Sequence, residues 1–154
     1  MPRPRAGDWL EDEVASWRRQ GLDVVVSMLQ QDEVVELGLG DEPRLCAEAG
    51  LRFASFPVAD RGVPESKSDV SELVSELVEE LRAGRGVGIH CRMGIGRSAS
   101  LAVCVLAAAG TPIESAWAAV QRSRGLSVPD TPEQRAWVDR WFREFRMSKK
   151  PYGR

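Results

Sequence analysis

The stretch HCRMGIGRS, residues 90–98, constrains the fold of this chain more than any other. It follows the apolar run 87–89 and precedes the apolar stretch 100–106, which predicts a loop between a buried strand and a buried helix. Gly94 and Gly96 permit the backbone conformations and the close approach through which successive N–H groups converge on one point. The N-terminus of the following helix is directed at the same point. This segment, called the cradle loop (residues 90–98) below, is predicted to bind a tetrahedral oxyanion.

Two side chains of the cradle loop carry the chemistry expected of it. Arg97 has a planar guanidinium that can bind two oxygens of a phosphate. An arginine has the wrong charge for a helix N-terminus, and a bound anion would remove that conflict. Cys91 lies at the loop entrance, where amides, the helix end and a guanidinium favour the thiolate over the thiol. The loop is therefore predicted to hold a nucleophile beside a bound anion.

Length and composition predict one folded domain over residues 1–154, with residues 1–7 and 147–154 as loose termini. The chain is 43% hydrophobic and 29% charged, and no apolar run approaches the ~18 residues of a membrane span. The first residues are basic without an apolar segment behind them, so a secretory signal is not expected. Three cysteines at scattered positions favour a reducing, cytoplasmic location. The net charge of −2 gives no field that recruits nucleic acid, and the oligomeric state stays open.

Hydrophobic periodicity and capping signals predict helices that alternate with strands. Strands are expected at 22–29, 51–58 and 87–89. Helices are expected from Asp8, over 31–37, over 42–49, from Ser66, from the cradle loop to Gly110, from Thr111 and from Thr131. This order predicts an α/β fold, with a central, mostly parallel twisted sheet flanked by helices on both faces. Ligands in such sheets bind beyond the carboxyl ends of the strands, and Cys91 falls at such an end.

The pattern Cys-x5-Arg-Ser after a strand, with a histidine in front, resembles the signature loop of cysteine-dependent protein tyrosine phosphatases. The stretch FPVADRGVP, residues 56–64, resembles the loop that carries the general acid in compact dual-specificity phosphatases. The resemblance implies a protein tyrosine phosphatase-like fold and hydrolysis of phosphomonoesters through a phosphocysteine, without metal or cofactor. Cys91 would be the nucleophile and Asp60 the general acid, although an Asp also commonly starts a turn. Compact members usually begin with an additional strand, for which only residues 1–5 are available here.

The resemblance also implies roles for other residues. Ser98 would hydrogen-bond the thiolate, and His90 would position the loop; no cluster of partners suggests that His90 binds a metal. Gln134 would either position the hydrolytic water or complete a capping box with Thr131. Phosphate would be bound by Arg97 and by the amides of the loop residues Arg92, Met93, Gly94, Ile95 and Gly96.

The expected partner is a phosphorylated protein or peptide, with phosphotyrosine and possibly phosphoserine or phosphothreonine as the substrate group. Alternatives are a phosphatase of phosphoinositides or other non-protein substrates, a catalytically weak phosphate-binding module, and a sulfurtransferase or arsenate reductase. The absence of lysine from the cradle loop disfavours a lipid. Arg61 and Arg124 either contact anionic parts of a substrate or are surface charges. Cys104 is expected in the core, and Cys46 in the core, at the surface or as a redox partner of Cys91.

Overall fold

The valine-rich run Leu22–Ser27 forms the middle strand of the sheet. In the computed structural model, which describes residues 1–149, this strand, β1, pairs in parallel with β2 (Arg52–Ser55) on one side and with β3 (Gly86–His90) on the other. The strand order is therefore β2-β1-β3. Because both pairings are parallel, the carboxyl ends of the three strands meet at one edge of the sheet. The predicted α/β fold with a parallel sheet is confirmed, and the cradle loop leaves that edge.

Helices precede, connect and follow these strands in the predicted order. Within residues 1–149 no helix is long and apolar enough to cross a membrane. The helices are α1 (Trp9–Arg19), α2 (Gln31–Glu36), α3 (Glu42–Glu48), α4 (Lys67–Arg82), α5 (Arg97–Ala108), α6 (Ile113–Arg124) and α7 (Pro132–Lys149).

Alternate residues of β1 face two separate hydrophobic cores. Val24 and Val26 belong to the larger core, which is built with residues of α4, α5, α6 and α7. Val25 belongs to a smaller core with residues of α1 and α3. All three valines are at most 1% exposed, as expected for a strand that is covered on both faces. The prediction of helices on both faces of the sheet is confirmed.

The two chain ends differ from the loose termini expected at residues 1–7 and 147–154. At the beginning, the Met1 amino group donates to the carbonyl of Ile89 at 2.7 Å, Arg3 N–H donates to the carbonyl of Arg92 at 3.2 Å, and Pro4 is buried. This segment covers the otherwise open edge of β3, and unpaired strand edges favour such cover.

At the other end, α7 continues to Lys149, because no helix-breaking residue occurs before Pro151. The rest of the expected loose end, residues 150–154, lies outside the described residues.

Candidate active site

The cradle loop connects the end of β3 to the first turn of α5, and its two glycines are required for different reasons. Gly94 has a φ of 71°, and a Cβ built there would lie 2.5 Å from the carbonyl carbon of Met1. Gly96 has a negative φ, but a Cβ there would lie 2.7 Å from Nε2 of Gln134. The first glycine allows the turn, and the second allows α7 to approach the loop.

Cys91 lies at the end of β3 and is 3% exposed. Its Sγ is 3.2 Å from the Ser98 hydroxyl oxygen and accepts a hydrogen bond from the Gly94 amide at 3.3 Å. Burial by itself raises the pKa of this thiol, but the hydrogen bonds from Ser98 and Gly94 and the charge of Arg97 outweigh burial, so the net pKa is lowered. The surroundings of Cys91 therefore favour a thiolate, the nucleophilic form of cysteine.

The other two cysteines have the opposite environment. Burial, with a smaller contribution from Glu42, raises the pKa of Cys46 to about 12. Burial also raises the pKa of Cys104, which lies on α5. Both are free, buried thiols packed among apolar side chains. They are thus packing residues, as predicted for Cys104 and as one of the alternatives for Cys46.

Arg97 is buried and is held by a carboxylate that the sequence did not point to. Its Nη1 and Nη2 donate to the two carboxylate oxygens of Glu33 at 2.7 and 2.9 Å. Nη1 also donates to the carbonyl of Val58 at 2.8 Å. Burial favours the neutral arginine, but the bonds and charge of Glu33, together with the charges of Cys91 and Asp60, outweigh burial and raise the pKa of Arg97. A protein carboxylate therefore fixes this guanidinium in place.

Asp60 reaches the same guanidinium from the loop of residues 56–64. Its Oδ1 accepts from Arg97 Nη2 at 3.1 Å. Unlike Glu33, whose side chain is 8% exposed, the Asp60 side chain is 55% exposed. The structure thus brings Asp60, Arg97 and Cys91 to one cavity, with Asp60 on its open side.

His90, the first residue of the cradle loop, is fully buried. Its Nε2 is 2.6 Å from Oε1 of Glu42, which is also buried, and its Nδ1 is 3.4 Å from the carbonyl of Cys91. A carboxylate oxygen accepts, so Nε2 is the donor of the short bond. The pair joins α3 to the residue that precedes Cys91. In the part of the chain that the structure describes, no group of three His, Cys, Asp or Glu side chains could hold a metal ion.

Arg124 supports the cradle loop from α6. Its guanidinium donates to the carbonyl of Gly94 at 2.8 Å and to that of Met93 at 3.2 Å. The C=O and the following N–H of one planar peptide unit point in opposite directions. Holding these carbonyls therefore turns the N–H groups of Gly94 and Ile95 away from Arg124. The Gly94 N–H accordingly points at Cys91 Sγ.

A cavity of about 240 Å³ opens above Cys91. Of the predicted site residues, Ser98 and His90 are buried around Cys91. The Arg92 side chain is directed elsewhere and pairs with Glu36 at 2.9 Å. The cavity is lined by Asp60, Arg61, Cys91, Met93, Ile95, Gly96, Arg97, Asp130 and Gln134.

Gln134 forms the capping box, which is one of the two alternatives that the sequence left open. Its N–H donates to Thr131 Oγ1 at 3.2 Å, and its Oε1 accepts from Thr131 N–H at 3.1 Å, which is a reciprocal capping box. It also lines the cavity, and its Nε2 donates to the carbonyl of Gly62 at 3.1 Å. The residue therefore caps α7 and connects it to the loop of residues 56–64.

Sequence reasoning missed Glu33 and Glu42, and it left Arg124 as either a substrate contact or a surface charge rather than a support of the cradle loop. One signal for Glu33 was available, because a buried arginine beside an apolar helix needs a permanent counter-charge. The only histidine of the chain likewise needs a hydrogen-bond partner when it is buried. Neither signal identifies which carboxylate pairs with Arg97 or which one pairs with His90.

Several solved structures share this fold. Kinase associated phosphatase, in a structure whose catalytic-site cysteine is replaced by serine, is 20% identical with a TM-score of 0.84, over 94% of this chain and 85% of that one. The active form of Tk-PTP is 26% identical with a TM-score of 0.73, over 93% and 88%. PTPMT1 in complex with PI(5)P is 20% identical with a TM-score of 0.72, over 87% and 85%.

Residues 1–111 match the family model described as "Tc-R-P: Polymorphic toxin system, DSP-PTPase phosphatase". The chain belongs to this family of phosphatases, and the resemblance to dual-specificity phosphatases is confirmed. No curated protein sequence matches the chain significantly.

Proposed function

We propose that this chain hydrolyses phosphotyrosine, and also phosphoserine or phosphothreonine, in protein substrates, through a phosphocysteine and without a metal ion. The observation that carries the proposal is the position of Cys91 in the cavity. Hydrogen bonds and the charge of Arg97 together outweigh burial and lower the pKa of Cys91, and Arg97 and Asp60 line the same cavity. A nucleophile, an anion-binding group and a carboxylic acid are the three parts that the reaction needs.

In the first step, the Cys91 thiolate attacks phosphorus. The S–P bond forms as the P–O bond to the leaving group breaks, and Asp60 donates its proton to the departing oxygen. Arg97 Nη2, which donates to Asp60 in the structure, is the donor that a phosphate oxygen can take over. The cradle-loop amides stabilise the equatorial oxygens of the transition state.

In the second step, water attacks the phosphocysteine. Asp60, now a carboxylate, accepts a proton from the water as the new O–P bond forms and the S–P bond breaks. Ser98 stabilises the departing thiolate through the 3.2 Å contact between Oγ and Sγ. Gln134 lines the cavity on the side of the loop of residues 56–64, which is consistent with orienting this water.

The first experiment is hydrolysis of p-nitrophenyl phosphate in the presence of a metal chelator, with and without vanadate. We expect turnover that vanadate blocks, and we expect Cys91→Ser to lose it while still binding phosphate. The matched control is Cys104→Ala, which removes a thiol that is buried on α5 away from the cavity. If wild type binds phosphate but does not hydrolyse the ester, the chain is a phosphate-binding module instead.

The second experiment compares the hydrolysis of protein and lipid substrates by wild type, and uses Cys91→Ser to trap each candidate without turnover. PTPMT1 was solved with PI(5)P, which makes phosphoinositides the necessary comparison. Arg92 is the only basic residue between Cys91 and Arg97 in the sequence, and its side chain pairs with Glu36. We therefore expect phosphopeptides to be hydrolysed with the higher kcat/KM. A higher value for phosphoinositide vesicles would reverse the assignment.

A further inference from the structure

Arg61, the residue after Asp60, has an unusual backbone conformation. Its φ of 58° is the only positive value among the non-glycine residues of the described chain. Gly62 N–H donates to the carbonyl of Ala59 at 2.8 Å, so residues 59–62 form a turn with Arg61 at the third position. A positive φ at that position is typical of glycine, and a residue with a Cβ is strained there. An arginine therefore occupies a position that glycine would fill more favourably.

The contacts that Arg61 makes do not compensate for this strain. Its side chain is 65% exposed, and its contact is with Asp130, where Nη1 is 3.4 Å from Oδ2 and 3.5 Å from Oδ1. A long, exposed ion pair contributes little to stability because water and salt screen it. Strained residues that are not stabilised locally cluster at functional sites, where the strain serves the mechanism.

The position of this ion pair suggests what it does. Arg61 and Asp130 both line the cavity above Cys91, one from the loop of residues 56–64 and the other from the connection between α6 and α7. The deeper cation, Arg97, is already matched by the two oxygens of Glu33. Arg61, in contrast, pairs among the described residues only with Asp130, so its guanidinium has no buried carboxylate that holds it permanently.

We infer that Arg61 exchanges Asp130 for a second anionic group of the substrate, a carboxylate or a phosphate that flanks the phosphorylated residue of a peptide. This inference rests on the proposed function and adds a substrate class to it. Asp130 holds the guanidinium at the rim of the cavity in the empty enzyme and competes with the flanking anion of the substrate for it. Arg61 therefore selects acidic phosphopeptides, and Asp130 moderates that selectivity.

A peptide fits the charges of the rim better than a membrane surface does. Anionic membranes are recognised by clusters of about four to eight basic residues. At the rim of the cavity, Arg61 lies beside the acidic side chains of Asp60 and Asp130, and Arg92 forms an ion pair with Glu36. One exchangeable cation among acidic groups suits a single flanking anion.

The test uses two phosphotyrosine peptides that differ only in Glu or Gln beside the phosphotyrosine. For wild type we expect kcat/KM to be about tenfold higher for the Glu peptide at low ionic strength, which corresponds to one additional charge-assisted hydrogen bond, and to lose the difference in high salt. Arg61→Gly should reduce the ratio to about one. The same variant should raise the thermal midpoint, because glycine adopts the positive φ without strain. If Arg61 served only to stabilise the fold, Arg61→Gly would lower the thermal midpoint.

Two further variants sharpen the result. Asp130→Asn should increase the Glu/Gln ratio severalfold, because it removes the competing carboxylate. Arg44→Gln removes an equal charge from an exposed arginine on α3 and should leave the ratio at the wild-type value. The inference is overturned if Arg61→Gly keeps the wild-type ratio, or if phosphoinositide vesicles compete for the site in an Arg61-dependent way while the peptides do not differ.

Binding to Cys91→Ser separates this inference from the proposed function. If wild type hydrolyses neither peptide, the proposed function fails, and the ratio of the two peptide dissociation constants still tests Arg61. If wild type hydrolyses both peptides equally and Cys91→Ser binds them equally, the proposed function stands and the inference fails.

Discussion

The base and the rim of the cavity are built in opposite ways. At the base, Arg97 and His90 are buried and each is held by a buried carboxylate, Glu33 and Glu42 respectively. At the rim, Asp60 and Arg61 are exposed. Asp60 pairs with Arg97 at 3.1 Å, and Arg61 pairs with Asp130 at 3.4 Å. Buried charges need permanent partners, whereas exposed ones exchange partners easily. The base is therefore suited to hold a fixed geometry, and the rim to change partners during binding and proton transfer.

The largest expected effect is a loss of catalytic rate caused by a substitution at the rim, with the stability of the fold unchanged. Asp60→Asn should lower kcat by about 10²–10⁴-fold, because it removes the side chain that we propose as the general acid. Its thermal midpoint should stay near the wild-type value, since the side chain is 55% exposed. Steady-state kinetics on phenyl phosphate and on p-nitrophenyl phosphate provide the measurement and its internal control. The better leaving group should lose less rate, and an equal loss on both esters would exclude Asp60 as the acid.

At the base, Glu33→Gln should destabilise the fold by about 3–5 kcal/mol, because Arg97 would lose the charge that matches it in a buried site. Chemical denaturation of the variant measures this cost. Glu36→Gln is the matched control on α2, because its exposed pair with Arg92 is expected to contribute about 0–1 kcal/mol.

The same pair predicts how stability depends on pH. Burial raises the pKa of Glu33, but the hydrogen bonds from Arg97 and from Gln30 N–H, together with the charge of Arg97, outweigh burial, so the pKa is lowered from the ordinary 4.5. Its contribution is therefore complete above about pH 4.5 and is lost as the pH falls through the lowered pKa. The stability difference between wild type and Glu33→Gln should shrink in acid. A difference that grows in acid would contradict the assignment.

The third effect concerns the thiolate. Ser98→Ala removes a hydrogen bond to a charged group, so the rate of the step that releases Cys91 should fall by about 10–100-fold. The pKa of Cys91 should rise, because burial is then less well opposed. The pH profile of inactivation by iodoacetate would shift to higher pH. Ser100→Ala is the control, because the Ser100 hydroxyl donates to the Gly96 carbonyl at 2.8 Å and has no contact with the thiol.

The smallest effect tests the partner of His90. Glu42→Gln keeps an acceptor for Nε2 but loses the charge, so we expect a cost of about 1 kcal/mol in the free energy of unfolding. Glu48→Gln, on the exposed side of the same helix, should change stability by less than about 0.5 kcal/mol. Equal effects of the two variants in thermal denaturation would mean that the buried pair contributes no more than an exposed one.

Much of the fold could be predicted from local pattern. The apolar stripe of α4 and its cap at Ser66, whose hydroxyl accepts from Asp69 N–H at 3.1 Å, follow from residues within one turn of each other. Not every such signal was correct. Asp8 precedes α1 but makes no side-chain capping bond. The order of elements depends on many signals together, so one failed cap does not change it.

The buried base of the site could not be predicted in the same way. Glu33 is 64 residues from Arg97, and Glu42 is 48 residues from His90. Both carboxylates lie on short helices with few buried apolar side chains, and nothing nearby marks them as buried. Their pairing follows from the packing of α2 and α3 beside the cradle loop, which only the assembled fold determines.

The two packing cysteines make the opening of each core separately observable. Cys46 lies in the smaller core on one face of the sheet, and Cys104 lies in the larger core on the other. A buried thiol reacts with a labelling reagent only after its surroundings open. In increasing denaturant, the order in which these two cysteines become labelled would therefore report which face of the sheet separates first. The chain thus carries one built-in reporter of local unfolding on each side of β1.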